Sequence, residues 1–262
     1  MKAFGLCLLV ACGPTKGSLP DAPPAGDASP GPDAPPVASG PVHVVITADN
    51  AYSFGYGDQA SITNFTQGQR AQTAGQIFNC PIGEGPEVYD IAEVDAPPNA
   101  FLYVVTWDDL SVTQGVLGQF RRDTGTVYTG DVRFEVCATG LDYSTGPDAI
   151  VGPSLAVINA EITKCNAGSG GDATSKGWVT TAAATTPGAL GRLAVGEAND
   201  VQAGTFPITC QSTPTTDGID SASKWMWYDP VDGMAGDPFH STGVNRFKAF
   251  LIFRLAAGKI IE

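Results

Sequence analysis

The chain has 262 residues, of which 14 are Lys or Arg and 27 are Asp or Glu, so its net charge is −13 at neutral pH. Nucleic-acid backbones are bound by basic surfaces, and this balance therefore argues against a nucleic-acid-binding protein. The acidity suits a solvated surface domain, or a domain that offers oxygen ligands to calcium.

Residues 1–11 have the layout of a secretory signal peptide. Lys2 precedes an apolar run of roughly ten residues, which is too short to cross a bilayer. The run ends in Leu9-Val10-Ala11-Cys12, and these four residues resemble the lipobox of bacterial lipoproteins. That resemblance implies cleavage before Cys12, a diacylglyceryl thioether on its sulfur and attachment to a membrane. An ordinary signal peptide with a chance cysteine is the alternative.

Residues 12–41 are predicted to be a disordered linker that follows the lipidated cysteine. The segment from Gly13 onward consists almost wholly of Pro, Ala, Gly, Asp and Ser, so it cannot offset its ordering entropy by burial. Its prolines favour extended conformations that hold a domain away from a membrane. The composition resembles the tethers of myxobacterial and related lipoproteins. The residue directly after Cys12 is Gly13, whereas an aspartate at that position would resemble an inner-membrane retention signal. We therefore expect an outer-membrane lipoprotein, facing the periplasm or the cell surface.

Residues 42–262 are predicted to form a single β-sandwich domain. β-Branched or alternating runs separated by Gly, Pro and Asp predict strands at 42–48, 51–56, 87–94, 100–107, 112–120, 132–138, 155–163, 178–181, 224–228 and 247–255. No ten-residue window has a convincing helical stripe. This pattern predicts an all-β fold, an antiparallel β-sandwich. The low-complexity stretch 166–204 is predicted to be a long Gly/Ala/Thr-rich insertion with one or two weak strands.

The mature domain contains four cysteines, an even number that suits an exported protein: Cys80, Cys137, Cys165 and Cys210. They lack metal-ligand spacing, so two disulfides are favoured over a zinc site. Three pairings are open. We favour Cys165–Cys210 with Cys80–Cys137, because the first would close the low-complexity stretch.

Four segments resemble, in order, those of galactose-binding-like jelly-roll domains appended to bacterial glycoside hydrolases: 46–52 (ITADNAY), 88–91 (VYDI), 99–105 (NAFLYVV) and 115–120 (GVLGQF). Segments 223–228 (SKWMWY) and 250–254 (FLIFR) resemble two further strands of that family, which precede the others in the relatives and follow them here. The family's Tyr-Val-Asn-Gly hairpin tip is replaced by residues 54–58 (FGYGD). The resemblance implies a jelly roll with a permuted strand order.

Trp107, Asp108, Asp109 and Asn50 are the candidate ligand-binding residues. An aromatic face beside carboxylates suits a sugar ring, whose axial hydrogens stack while its hydroxyls bind acceptors. An ordinary acidic turn is the favoured explanation of Trp107-Asp108-Asp109. Asn50, at a strand break, also suits a structural role in satisfying loop amides. Trp225 and Trp227, on one face of a strand, are expected in the core rather than on an exposed sugar platform.

Asp229, Asp232 and Asp237 are candidate calcium ligands, because they lie in one Gly-containing stretch and calcium prefers carboxylate oxygens. Their spacing does not match an EF-hand. Calcium is the only cofactor suggested by the sequence.

Catalytic signatures are lacking in the sequence. The two histidines, His43 and His240, belong to none of the usual hydrolase or metalloprotease motifs. We therefore expect a lipid-anchored envelope module that binds a carbohydrate. A structural or protein-docking lipoprotein is the alternative, and a glycan-active hydrolase with two facing carboxylates is the third.

Overall fold

The structure is a computed structural model that describes residues 39–67, 70–80, 86–107, 112–145, 148–168, 177–186, 189–202, 204–230, 236–240 and 249–261. Pro36–Glu262 forms one compact unit. Within the described ranges, no helix is both long enough and apolar enough to span a bilayer.

The predicted all-β class and antiparallel sandwich are confirmed. The described strands are β1 (Val42–Asp49), β2 (Ala51–Gly57), β3 (Ile62–Thr66), β4 (Glu87–Ile91), β5 (Phe101–Trp107), β6 (Gly115–Arg122), β7 (Gly125–Tyr128), β8 (Glu135–Asp142), β9 (Trp178–Val179), β10 (Ala184–Thr186), β11 (Ala189–Ala198), β12 (Lys224–Asp229) and β13 (Ala249–Ala256).

These strands form two antiparallel sheets. The seven-stranded sheet has the order β10-β11-β12-β6-β1-β4, with β7 also paired to β6. The six-stranded sheet has the order β3-β2-β5-β13-β8-β9. The chain passes from one sheet to the other between β1 and β2, at Asp49 and Asn50.

Both faces of the six-stranded sheet are covered. Strand β5 shows this by its alternation: Leu102 and Val104 belong to the main core, whereas Tyr103, Val105 and Trp107 belong to a second apolar cluster. Successive side chains of a strand point to opposite faces, so a strand buried on both faces becomes an almost unbroken apolar run. Trp225 and Trp227 are buried in the main core, as predicted.

Helix α3 (Leu155–Ala167) contributes to this second cluster, and the predicted strand at 155–163 is therefore wrong. The Ser154 hydroxyl caps the helix by accepting the Val157 N–H, and Gly168 ends it in a left-handed conformation. Ile158 and Ile162 lie one turn apart on its buried side. Two shorter helices, α1 (Ala74–Phe78) and α2 (Asp148–Val151), and a 3-10 turn (Ala257–Ile260) complete the described helical structure.

The stretch 166–204 is more than an insertion with one or two weak strands. It contains β9, β10 and β11, and the ten-residue β11 lies between β10 and β12 inside the seven-stranded sheet. Its Ala- and Gly-rich sequence concealed a strand that contributes Leu193 and Ala194 to the core.

All four cysteines form disulfides, but the favoured pairing is wrong. The bonds are Cys80–Cys210 and Cys137–Cys165. The unpredicted helix α3 places Cys165 over β8, which carries Cys137. Cys210 instead lies beside the end of α1, where its N–H donates to the carbonyl of Phe78.

Candidate ligand-binding groove

A groove of about 520 Å³ opens beside β11 and is lined by residues 192–197 of that strand together with Thr181, Thr205, Phe206 and 237–239. Small-molecule sites in proteins are commonly of 300–1,000 Å³, apolar in the main, with a few placed polar groups. The groove, which we call the β11 groove, is therefore large enough for a sugar unit or a short oligosaccharide.

Stacked aromatic rings support one side of the β11 groove. Phe206 lies flat on Trp225, with ring centroids 4.0 Å apart and planes 12° apart. Phe239 meets Phe206 edge to face at 6.1 Å and covers the backbone of Gly196, where a Cβ atom would lie 2.9 Å from the ring. Gly196 is needed for this close approach.

The charged groups of the groove are held by specific partners. Arg192 pairs across the β11–β12 ladder with Asp229, Nε lying 2.8 Å from Oδ2. Glu197 accepts the backbone N–H of Phe206. Asp237 accepts the N–H of Phe239 at 2.9 Å through Oδ1, and its Oδ2 lies 2.8 Å from Nδ1 of His240. The groove is lined by two carboxylates, of Glu197 and Asp237, and by the single guanidinium of Arg192, a balance that disfavours anionic ligands.

Residues 237–240 are fixed to the start of β6. The buried side chain of Gln114 donates to the carbonyl of Pro238 at 2.7 Å. The backbone N–H of Gln114 donates to the carbonyl of Phe239 at 3.0 Å. Thr113 and His240 form an antiparallel bridge. This wall of the groove is therefore pre-organised by backbone hydrogen bonds.

Trp107 cannot provide the predicted stacking face, and that hypothesis is wrong. Its side chain is only 1 % exposed and lies in the cluster covered by α3. The apolar alternation of β5 places Trp107 on the same face as Tyr103 and Val105, so its burial follows from strand geometry. Asp108 and Asp109 lie outside the described residues.

Asn50 lines a different, much smaller crevice, of about 10 Å³, together with Tyr52, Gln76 and Glu87. That volume is at the lower limit for one water molecule, so a sugar cannot enter. The Asn50 Oδ1 is buried and meets no donor among the residues the structure describes. Tyr52 donates to Glu87 and lies 3.1 Å from the hydroxyl of Tyr89. Burial, and then the Glu87 charge, raise the pKa of Tyr52 well above its ordinary value.

The proposed calcium ligands divide between the groove and the undescribed part of the chain. Asp237 lines the groove, Asp229 lies beside it as the partner of Arg192, and Asp232 lies outside the described residues. Across the described ranges, no cluster of three or more His, Cys, Asp or Glu side chains has metal-binding geometry.

Sequence reasoning identified Asp237 but missed Arg192, Glu197, Thr205 and Phe206. The first two were detectable as the charged residues within the otherwise apolar segment of β11 (ALGRLAVGEA). Phe206 could not be placed, because its position depends on the long-range contact with Trp225.

Comparisons of the chain with protein-family models, with curated proteins and with solved structures each gave no significant match.

Proposed function

We propose that this chain is a lipid-anchored binding module of the bacterial cell envelope that recognises a carbohydrate through the β11 groove. The observation that carries the proposal is the groove itself: its volume of about 520 Å³, its aromatic support and its convergent polar groups. Thr181, Thr205 and Asp237 offer the hydroxyl and carboxylate partners that sugar hydroxyls need.

The lipid anchor is proposed from the lipobox-like residues Leu9 to Cys12 and from the proline-rich linker that follows them. Two disulfides support an oxidising compartment, which agrees with export. An outer-membrane location is part of the same proposal.

A galactose-binding-like jelly roll is the proposed form of the sandwich. In support, the segments that resemble that family all contribute to strands, namely β1 and β2 (46–52), β4 (88–91), β5 (99–105), β6 (115–120), β12 (223–228) and β13 (250–254).

A glycan array probed with the full chain in detergent tests the proposal, together with a variant that fills the groove. Thr205 lines the groove and is half-buried, so Thr205→Arg should place a long side chain there without removing core contacts. We expect at least about a tenfold loss of affinity, equal to about 1.4 kcal/mol.

Val88→Arg is the matched control. Val88 is 43 % exposed and lies on β4, at the edge of the seven-stranded sheet opposite to the β11 groove, so this variant should bind as the natural chain does. A full chain that binds no glycan would refute the function. Equal binding by both variants would refute the groove as its site.

Protein docking is the second candidate function, and α2 gives it some support. Ile150 and Val151 are adjacent on this short helix and are 63 % and 57 % exposed. Neighbouring exposed aliphatic side chains occur at protein contacts, although isolated ones are common on any surface. Hydrolysis ranks third, because the sequence contains none of the usual hydrolase motifs.

A further inference from the structure

Residues 210–220, which we call the strap, cover part of the seven-stranded sheet on the face opposite to Phe120. The strap is closed by a hydrogen bond from the Ile219 N–H to the Cys210 carbonyl at 2.8 Å and is tied to α1 by the Cys80–Cys210 disulfide. Gln119 of β6, itself buried, donates to the Gly218 carbonyl at 2.8 Å and accepts the Asp220 N–H at 3.0 Å.

His43 stands on the same face as Gln119, because β1 and β6 pair residue by residue. The register places His43 opposite Asp90 of β4 on one side and opposite Arg121 of β6 on the other. Its side chain is 26 % exposed, so it is partly shielded from solvent. The strap brings a third charged group, Asp217, to this position.

Both ring nitrogens of His43 face carboxylates. Nδ1 lies 2.6 Å from Oδ1 of Asp90, and Nε2 lies 2.9 Å from Oδ2 of Asp217. The second contact does not have hydrogen-bond geometry, so it is an ion pair only when the ring is protonated. Arg121 donates to the other oxygen of Asp217 at 2.7 Å.

The protonation state of the ring decides whether these contacts with the two carboxylates are attractive or repulsive. A neutral imidazole has one N–H and one lone pair, so one nitrogen would direct its lone pair at a carboxylate. Only the imidazolium is attracted to Asp90 and Asp217 at once. The other described ionisable groups near this site are Arg121, bound to Asp217, Asp220, whose carboxylate accepts the Ala222 N–H at 2.8 Å, and Tyr128 of β7, which lies opposite Gln119.

We propose that His43 is a pH-dependent latch that holds the strap against the sheet while its ring is protonated. As pH rises and the ring loses its proton, Asp217 keeps Arg121 but loses its second cation. The strap then loosens at residues 211–220, and the disulfide and Gln119 keep it from detaching. Openings of the strap that break the Gln119 hydrogen bonds then become more frequent, and each of them uncovers the part of β6 around Gln119. This inference does not depend on the proposed glycan binding.

Hydrogen exchange of the full chain tests the latch. Imidazole is the side chain that proteins most often use as a pH switch, so we compare the natural chain with His43→Gln over a range of pH from acidic to alkaline. At each pH we take the ratio of the exchange rates of the same amide in the two proteins, which removes the intrinsic pH dependence of exchange. At the acidic end, the amides of Ile219 and Asp220 should exchange about two- to fivefold more slowly in the natural chain, as expected for a partly exposed ion pair. At the alkaline end the ratio should fall to about one.

Two further comparisons keep the test decisive. The same ratio is then measured between Asp217→Asn and the double variant Asp217→Asn, His43→Gln. It should not depend on pH, because His43 no longer has the Asp217 charge to attract. His240→Gln changes the other His–Asp pair, at the groove, and should leave strap exchange unaltered. A ratio that is the same at both ends of the range, or a His43→Gln chain whose strap is as protected as the natural one at acidic pH, would overturn the proposal.

Discussion

Gly152 lies directly against the indole of Trp107, so closely that a Cβ atom at Gly152 would stand 2.3 Å from the ring. Its backbone also has a φ of +73°, which disfavours any residue with a side chain. Trp107 is therefore a packing residue that closes the cluster under α3, and its environment tolerates neither addition nor removal of atoms.

Gly152→Ala should destabilise the domain through both effects. Gly40→Ala is the matched control, because Gly40 also has a positive φ, of +83°, but nothing within 4 Å of its missing Cβ. We expect Gly40→Ala to cost about 1–2 kcal/mol and Gly152→Ala about 1–3 kcal/mol more. Trp107→Ala should cost about 3–5 kcal/mol by leaving a cavity. Urea unfolding measures the loss of stability in all three variants. Equal losses for Gly40→Ala and Gly152→Ala would contradict the close packing of Gly152 against Trp107.

The burial of Trp107 was available from the sequence, since β5 is apolar at every position except Thr106 and so needs cover on both faces. What the sequence concealed was the source of that cover. Helix α3 contains four β-branched residues among its thirteen, which allowed a strand to be predicted, although Ser154, Gly168 and the spacing of Ile158 and Ile162 agree with a helix.

The disulfide pairing and the groove were less accessible to sequence reasoning. Pairing depends on which elements meet, and the favoured Cys165–Cys210 bond was argued from closure of the low-complexity stretch, without the contact between α3 and β8 that joins Cys165 to Cys137. The groove combines β11 with residues 205–206 and 237–239, which only the complete sheet order brings together. Alternation along a strand predicts its faces but not its neighbours.

The two disulfides should differ in their rates of reduction. Cys137 and Cys165 are 0 % and 2 % exposed, whereas Cys210 is 8 % exposed and Cys80 more so. Thiol exchange requires an attacking thiolate to reach a sulfur atom, so mild reduction of the folded chain should open Cys80–Cys210 first. Alkylation and peptide mapping would identify the labelled cysteines. In denaturant both bonds should be reduced at similar rates, and the opposite order in the folded chain would contradict the exposures.

Arg122 holds three separate parts of the backbone together. Its guanidinium is buried and donates to the carbonyls of Gly40, Ala96 and Ala257. Burial lowers its pKa, and Glu93 partly opposes this. Each hydrogen bond to a charged group contributes about 1.5–3 kcal/mol, so Arg122→Met should cost about 3 kcal/mol or more.

Arg121→Met is the control for that substitution, since the two residues are neighbours on opposite faces of β6. Arg121 is 38 % exposed and pairs with Asp217 at the surface, so its loss should cost at most about 1 kcal/mol. Denaturant midpoints of the two variants make the comparison. Similar losses would show that the buried hydrogen bonds of Arg122 contribute little.

Tyr52 should make the domain sensitive to alkali. Burial and Glu87 keep its phenol neutral in the folded state by raising its pKa, whereas in the unfolded chain a phenol titrates near pH 10. The raised pKa means that its contribution to the free energy of unfolding is complete below about pH 10 and declines as the pH rises further. Tyr52→Phe should flatten this decline, measured by urea unfolding between about pH 8 and pH 11. Tyr56→Phe, at a more exposed phenol, should flatten it less, and an unchanged slope in Tyr52→Phe would contradict the argument.

The proposed lipid anchor predicts that, of Cys7 and Cys12, only Cys12 is needed for lipid attachment. The thioether can form only on the sulfur of the residue that becomes the new amino terminus, so Cys12→Ala should abolish lipid attachment and leave the chain unprocessed or freely soluble. Cys7→Ala is the matched control, because Cys7 lies within the apolar run and alanine preserves its hydrophobic character. Intact-mass analysis of envelope-purified protein should give a lipid-modified chain that begins at Cys12 for both the natural protein and Cys7→Ala. An unmodified Cys12 in that material would refute the anchor, and the proline-rich segment would then need an explanation other than a membrane spacer.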